Sequence, residues 1–467
     1  MRQSILILMG VCLALNSSAQ RGYGTSSASY AYHHGGNGYI LPSENVVEEE
    51  IFNYHTHLID AATYNSPINL SHAWGNENIN ANADEVILQI GLSTHRDTNL
   101  SSIPPANLSF VVDISGSMGG DPIEKSKAAM KEFVKQLRPS DQISLVLFGS
   151  SVFVPYKSQK IGDKKALLAA IDNIQINGST NVHLGMQTGY QQVASTFLST
   201  GNNRVIVFTD AMANTGVIDP NQILANTSVY IKDIDLTFIG IGINFNQDFA
   251  RQIKTKLRGH MHFVEDAREI NKLFRDEVEQ FLAAPYGKKV KLTIEIPEQL
   301  TLNKFYGYNP TITGNKIEIE IDDMQGGLTQ IFMLKFNRKK EYEGEIDQLS
   351  YQLSFNNQHD QPEIITKHTS QINVLQNNDI YNKLVNREVK KNYSIVYMAN
   401  QLKQASIDFE ADRDGEKYDH TINQVLAVID GEHKTLDEDL KYVYDILSKQ
   451  TDDTKKAKVP LLLADNF

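Results

Sequence analysis

The segment FVVDISGSMGG, residues 110–120, places a carboxylate and two hydroxyls, Asp113, Ser115 and Ser117, at alternate positions directly after an apolar run. Three chemistries use such a set. Hard oxygen donors hold a divalent cation, a carboxylate at a strand end can accept a phosphoryl group, and Ser and Asp turn a chain into a helix. A phosphoryl-transfer site of this kind needs a second carboxylate two residues on as acid and base. Ser115 stands there and does not ionise near neutral pH. No GxxxxGK[ST] phosphate loop occurs, and SGSMG is not a GxSxG elbow. With no general base in the motif, catalysis is not expected of it. A metal site and a polar turn remain open at this point.

Residues 107–284 read as the scaffold for these groups. The apolar runs NLSFVVD, ISLVLFG, RVIVFTD and DLTFIGIGI alternate with helical patterns. In PIEKSKAAMKEFVKQL, the residues Ile123, Met130, Phe133, Val134 and Leu137 share one stripe, with Asp121 and Pro122 suited to the N-cap and the first helical position. Leu167, Ile171 and Ile174 mark a second short helix, and VHLGMQTGYQQVASTFL a third. This alternation predicts an α/β fold, a doubly wound and mostly parallel sheet that binds ligands beyond the carboxyl ends of its strands. Two further loops open at that edge. One is NGSTN, with Thr180 just before the third helix, and the other begins at Asp210, the last residue of VIVFTD. Asp113, Ser115, Ser117, Thr180 and Asp210 together offer three hydroxyls and two carboxylates. Such a set suits Mg²⁺, Mn²⁺ or Ca²⁺ and disfavours zinc or copper. With so few negative charges around it, the ion retains positive charge and an open position for a partner's carboxylate.

Residues 107–283 resemble the von Willebrand factor type A domain, and the five groups match its metal-ion-dependent adhesion site. The pattern is Asp-x-Ser-x-Ser at 113, 115 and 117, then Thr180 in Gly-Ser-Thr-Asn, then Asp210 in Thr-Asp. The resemblance implies that the two serines bind the metal directly, that the threonine and aspartates act directly or through water, and that the ligand supplies an acidic residue. Ala211 departs from the glycine usual after the second aspartate, which puts the shape of that loop in question. The stretches VVEEEIFNYHTHLI and PPANLSFVVDISGSM are similar to the bacterial YfbK-like proteins of the cell envelope.

On either side of this unit the pattern changes. Residues 44–106 hold short strand-like pieces such as EVILQIGLS, and residues 286–376 alternate apolar and polar positions in KKVKLTIEIP, KIEIEI, TQIFMLKFN and LSYQLSF. Both flanks adjoin the ends of the α/β unit and are expected to pair into one β-sandwich that the unit interrupts, its metal edge facing outward. Residues 377–467 read as helical, and 20–43, rich in Gly, Ser and Tyr, as a flexible linker. His55/His57 and His260/His262 each form an H-x-H pair, read as polar positions on a strand for want of a third ligand. His183 is expected to cap or pack. The acidic stretch 408–421 fails the calcium-loop pattern, since Thr421 stands where a bidentate Glu is required, and reads as a solvated loop.

A chain of 467 residues exceeds what one core supports, and 41% hydrophobic content is that of a folded protein. Residues 1–19, with Arg2, the short apolar run ILILMGVCLAL and small residues up to Ala19, read as a signal peptide. They contain Cys12, the one cysteine of the chain, so a mature protein would have neither disulfide nor thiolate site. A net charge of −12 with no Lys/Arg run argues against nucleic acid. The sequence thus predicts an exported protein of the periplasm or cell surface, not an enzyme and with no membrane span in its mature form. It would bind a carboxylate of a protein partner through Mg²⁺, or Mn²⁺ or Ca²⁺. The alternative is an accessory subunit of an envelope enzyme or assembly in which the metal is structural.

Overall fold

The computed structural model describes residues 28, 31–32, 40–55, 57–96, 104–210, 213–227, 234–241, 260–264, 282, 285–341, 344–376, 384–433 and 438–450. A short helix α1 (Glu48–Phe52) leads into β1 (Ile68–Trp74), β2 (Asn78–Asn80) and β3 (Glu85–Thr94). Next come β4 (Ala106–Asp113), α2 (Asp121–Gln136), β5 (Gln142–Phe148), β6 (Val152–Lys160), α3 (Lys165–Asp172) and α4 (Val182–Ser195). They are followed by β7 (Asn202–Thr209), α5 (Pro220–Thr227), β8 (Asp235–Ile241) and β9 (His260–Val264). The chain then makes β10 (Gly287–Glu295), β11 (Leu300–Phe305), β12 (Thr311–Thr313), β13 (Lys316–Ile321) and β14 (Thr329–Arg338). After β15 (Ser350–Asn357), β16 (Pro362–His368) and β17 (Asn373–Leu375) come the helices α6 (Arg387–Asp412), α7 (Gly415–His433) and α8 (Glu438–Ser448).

The α/β unit has a six-stranded sheet in the order β6-β5-β4-β7-β8-β9, parallel except for β6, which runs antiparallel to β5. Every residue of the central strands β4 and β7 is buried, because helices cover both faces. Leu108, Phe110 and Val112 pack with Ile123, Met130 and Phe133 of α2 and with Leu167 and Ile171 of α3. On the opposite face, Val111 and Phe148 pack with Met186, Tyr190 and Val193 of α4. Helix α4 lies close to the sheet because it presents glycines there. A Cβ on Gly189 would come within 2.4 Å of Val111 Cγ2, and one on Gly185 within 2.5 Å of Phe148 Cδ1. Helix α2 begins at Asp121, with Gly120 in the cap position at φ 79°, so Asp121 lies inside the first turn and does not cap it.

The flanking strands form two antiparallel sheets, β1-β3-β14-β11 and β12-β13-β10-β15-β16, beside a small parallel pair, β17-β2. Strand β3 precedes the α/β unit and β14 follows it, yet they are neighbours from Glu85↔Asn337 to Ser93↔Thr329. Period-two alternation divides their side chains between two cores. Leu88, Ile90 and Leu92 of β3, with Phe332, Leu334 and Phe336 of β14, meet Leu292, Ile294 and Leu353 of the second sheet. On the other face, Ile87, Ile331 and Met333 join the helical core with Phe52, Val396 and Leu402. The result is a helical layer over a sandwich, with the α/β unit inserted.

The unit is anchored at the amino ends of its strands. Arg138 donates to the Pro104 carbonyl (2.9 Å), and Asp141 accepts from the Ala106 amide (2.9 Å). Asp235 takes Arg204 at 3.2 Å and Lys288, from the first strand after the unit, at 3.9 Å. Eight extended residues then carry β4 about 23 Å from Ala106 to Asp113, so the carboxyl edge lies at the far end of the sheet from this junction.

Three further expectations need correction. The stretch 20–43 is in part packed, since Ala28, Ala31, Ile40 and Leu41 are buried, and Tyr32 stacks on Tyr442 with centroids 5.5 Å apart. Ser43 Oγ also donates to Glu410 at 2.7 Å. Helix packing therefore holds several of these residues, whatever their composition. His55 and His57 are not on a strand. They follow α1 in a buried turn, where His55 Nδ1 meets Asp439 of α8 at 3.0 Å and His57 Nε2 meets Asn53 Oδ1 at 3.1 Å. The acidic stretch 408–421 is not a loop: 408–412 close α6 and 415–421 open α7, and at the short junction Asp412 accepts the Asp414 amide (3.0 Å) and Asp414 accepts the Lys417 amide (3.0 Å). Among the described residues, no helix is long and apolar enough to cross a membrane. Residues 1–19 lie outside the description.

Candidate metal site at the carboxyl edge of the sheet

Parallel pairing of β4 with β5 and β7 brings three loops to one edge. Asp113 and Phe148 are register partners at their strand ends, and Val112 pairs with Phe208, one residue before Thr209. Main-chain bonds then tie the loops to one another. The Ile114 amide donates to the Phe148 carbonyl (2.8 Å), the Asn177 amide to Ile114 (2.6 Å), the Gly116 amide to Gly178 (3.2 Å) and the Asn181 amide to Gly149 (3.2 Å). Gly149 is required at this crossing, since a Cβ there would stand 2.0 Å from the Asn177 carbonyl oxygen. The third loop closes on Thr180. Its carbonyl accepts the amides of Asn214 and Thr215 at 3.2 Å each, and its own amide donates to Asn214 Oδ1 at 2.8 Å.

Asp113 is fully buried and held from two sides. Its Oδ1 accepts the Ser115 amide (2.9 Å), and its Oδ2 accepts the Thr209 hydroxyl (2.7 Å). Burial pushes its carboxyl up to about 6; the bonds from Ser115 and Thr209 pull it back, and the charge of Asp210 pushes it further up. A nearby cation would oppose that rise. The Ser115 and Ser117 hydroxyls lie 3.1 Å apart; Ser115 is buried and Ser117 is exposed, which opens the site to solvent. Asp210 is 4% exposed and follows directly after β7 and Thr209, the donor to Asp113.

Thr180 Oγ1 is buried and has no hydrogen-bond partner among the described residues. A buried hydroxyl in that state is costly unless something else satisfies it. It sits just before the Asn181 cap of α4, whose Oδ1 accepts the Leu184 amide at 3.1 Å. The donor set is therefore hydroxyl-rich. Among the described residues, no three His, Cys, Asp or Glu side chains converge anywhere as a metal cluster. The chemistry offered is weak, hard-oxygen coordination with an exposed lip, which fits a cation that keeps an open position.

Sequence reasoning passed over Thr209, which orients Asp113, and Asn214, which fixes Thr180. Thr209 was detectable as the residue before Asp210, on a strand parallel to β4. Asn214 had no signal, because its role depends on loop closure. Ala211 lies outside the described residues, as does the side chain of His260. His262 is buried in β9. His183, in the first turn of α4, has a buried Nε2 without a partner among the described residues, and burial lowers its pKa.

This is the arrangement of a von Willebrand factor type A domain, and residues 107–276 match the family model of that description. The chain thus carries such a domain between its sandwich strands. It is similar to the uncharacterized protein YfbK of Escherichia coli K12, 28% identical over 329 residues, covering 67% of this chain and 56% of that protein. It is also similar to bovine inter-alpha-trypsin inhibitor heavy chain H1, 29% identical over 196 residues, covering 40% of this chain and 21% of that one. The chain accordingly spans about half or less of the length of these curated relatives. Among solved structures, a von Willebrand factor type A protein from Catenulispora acidiphila aligns with a TM-score of 0.55 at 14% identity, over 79% of this chain and 87% of that one. That likeness extends the shared fold beyond the type A domain.

Proposed function

We propose that the chain is an exported, non-catalytic protein-binding module that takes a carboxylate of its partner through a divalent cation. Asp113, Ser115, Ser117, Thr180 and Asp210 would hold the ion, Mg²⁺ or else Mn²⁺ or Ca²⁺. The bound ion would supply a positive centre with a free coordination position. The observation that carries the reading is the buried Thr180 hydroxyl, without a partner among the described residues, beside a hydroxyl-rich, two-carboxylate edge. The exposed Ser117 supports access by a partner, and the type A family match supports an interaction role. Thr209 and Asn214 act as positioning residues: one keeps Asp113 oriented, the other keeps Thr180 at the edge. The short apolar N-terminal stretch supports export.

Titration of Mg²⁺ into the full chain by calorimetry should give a binding heat that Asp113→Ala abolishes. Capture of partners from an envelope extract should fail in EDTA and with Asp113→Ala. Capture that survives both treatments would overturn the metal-bridged reading.

A further inference from the structure

Strand β16, Pro362–His368, is the outer strand of the five-stranded sheet. Six of its seven residues are exposed, with Ile364 at 63%, and only Ile365 is partly buried. Its pairing with β15 is unbroken from Ser350↔His368 to Asn356↔Pro362. Of the other outer strands, β6 carries Pro155 and register shifts against β5, β11 is bulged against β14, and β12 has three residues. Among the described residues, nothing pairs with the outer side of β16.

The direction of its peptide groups follows from the ladder. The Asn357 amide donates to Gln361 (2.8 Å) and the Thr369 amide to Leu349 (2.9 Å), which marks both as hydrogen-bonded positions. Antiparallel alternation then makes Phe355↔Glu363, Leu353↔Ile365 and Tyr351↔Lys367 the hydrogen-bonded pairs. The N–H and C=O groups of Ile364 and Thr366 therefore point away from β15, available to another strand.

The sequence of β16, PEIITKH, is charge-complementary to itself when reversed. Glu363, Ile365 and Lys367 share one face, and Glu363 and Lys367 are about 13 Å apart along it, too far to pair within one copy. We infer that β16 is the seam of a homodimer, in which two copies pair antiparallel about Ile365. In that register Glu363 of each copy stands opposite Lys367 of the other, and Ile365 meets its own image. Ile364 stands opposite Thr366, and each such pair exchanges two main-chain hydrogen bonds. The two five-stranded sheets become one continuous sheet, and the exposed Ile364 gains a neighbour. The inference does not depend on the metal site, which lies on the inserted unit.

Sedimentation of the full chain over a range of concentrations tests it. The wild type is expected to show a monomer–dimer equilibrium. Lys367→Glu places like charges opposite each other twice and should weaken self-association about tenfold. Adding Glu363→Lys to it restores complementary pairs and should restore the dimer. Thr366→Pro removes an outward N–H without touching the β15 ladder and should abolish pairing, while leaving the melting temperature of the monomer unchanged. A wild type that stays monomeric up to near-millimolar concentration overturns the inference. So does a dimer indifferent to Lys367→Glu and Thr366→Pro, or one that the double reversal does not rescue.

Discussion

Replacing Thr180 by Val tests the site through two effects of opposite sign. Valine has nearly the same shape, and the main-chain bonds of Thr180 to Asn214 and Thr215 do not involve the side chain. Without a cation, the wild-type hydroxyl is buried with no partner among the described residues. Leaving such a group unsatisfied costs about 1–3 kcal/mol, so in EDTA the variant should be the more stable protein, by about 1 kcal/mol. With cation the order should reverse. An ion at ten times its dissociation constant stabilises the wild type by about 1.4 kcal/mol, whereas the variant has lost a ligand and gains little. Differential scanning calorimetry of the full chain in EDTA and in Mg²⁺ measures both quantities. Hydrogen exchange of β4 and α4 peptides assigns the transition to the α/β unit. A variant less stable than the wild type in EDTA, or one that keeps the full cation shift, would refute the reasoning.

Two other perturbations are informative. Burial lowers the His57 pKa from 6.5 to about 3, with His55 and Lys391 adding repulsion and Asp439 opposing it. Because the unfolded chain binds this proton first, stability should fall as pH drops from about 6.5 towards 3, with about 2 kcal/mol lost between pH 7 and pH 5. Urea unfolding followed by the fluorescence of Trp74, the one tryptophan and buried in the sandwich, reads this directly. His57→Gln should flatten that dependence, and an unchanged slope would contradict it. Gly149→Ala drives a methyl group into the Asn177 carbonyl, so it should cost about 1–3 kcal/mol in calorimetry and weaken cation binding as the loops separate. Normal stability together with normal Mg²⁺ binding would show that the loops tolerate the shift.

Much of the α/β unit was legible because burial on both faces leaves a simple trace. A parallel strand covered by helices needs apolar residues at nearly every position, and NLSFVVD and RVIVFTD have them. The polar residues after such runs fall at the carboxyl edge by the rule of the fold, so Asp113, Ser115, Ser117, Thr180 and Asp210 could be assigned to one edge. The positioning residues were not legible. Thr209 reaches Asp113 only because β7 lies beside β4, and Asn214 reaches Thr180 only when the third loop closes. The histidine pair was misplaced for a related reason. A helix as short as EEEIF has little intrinsic stability, and the packing of Ile51 and Phe52 against α6 residues such as Val396 and Leu402 decides it.

The sequence alone determined the types and spacing of the oxygen donors, the alternation that makes a doubly wound sheet, and the strand-like character of the flanks. These are local properties, carried by periodicity and by residue chemistry. Tertiary structure decided which strands became neighbours: β3 beside β14 across the whole inserted unit, one face in the sandwich and the other under α6. It also left, among the described residues, Thr180 Oγ1 without a partner at the site and the outer side of β16 without a hydrogen-bonded strand. Periodicity records whether a residue is buried, whereas long-range packing selects what it is buried against.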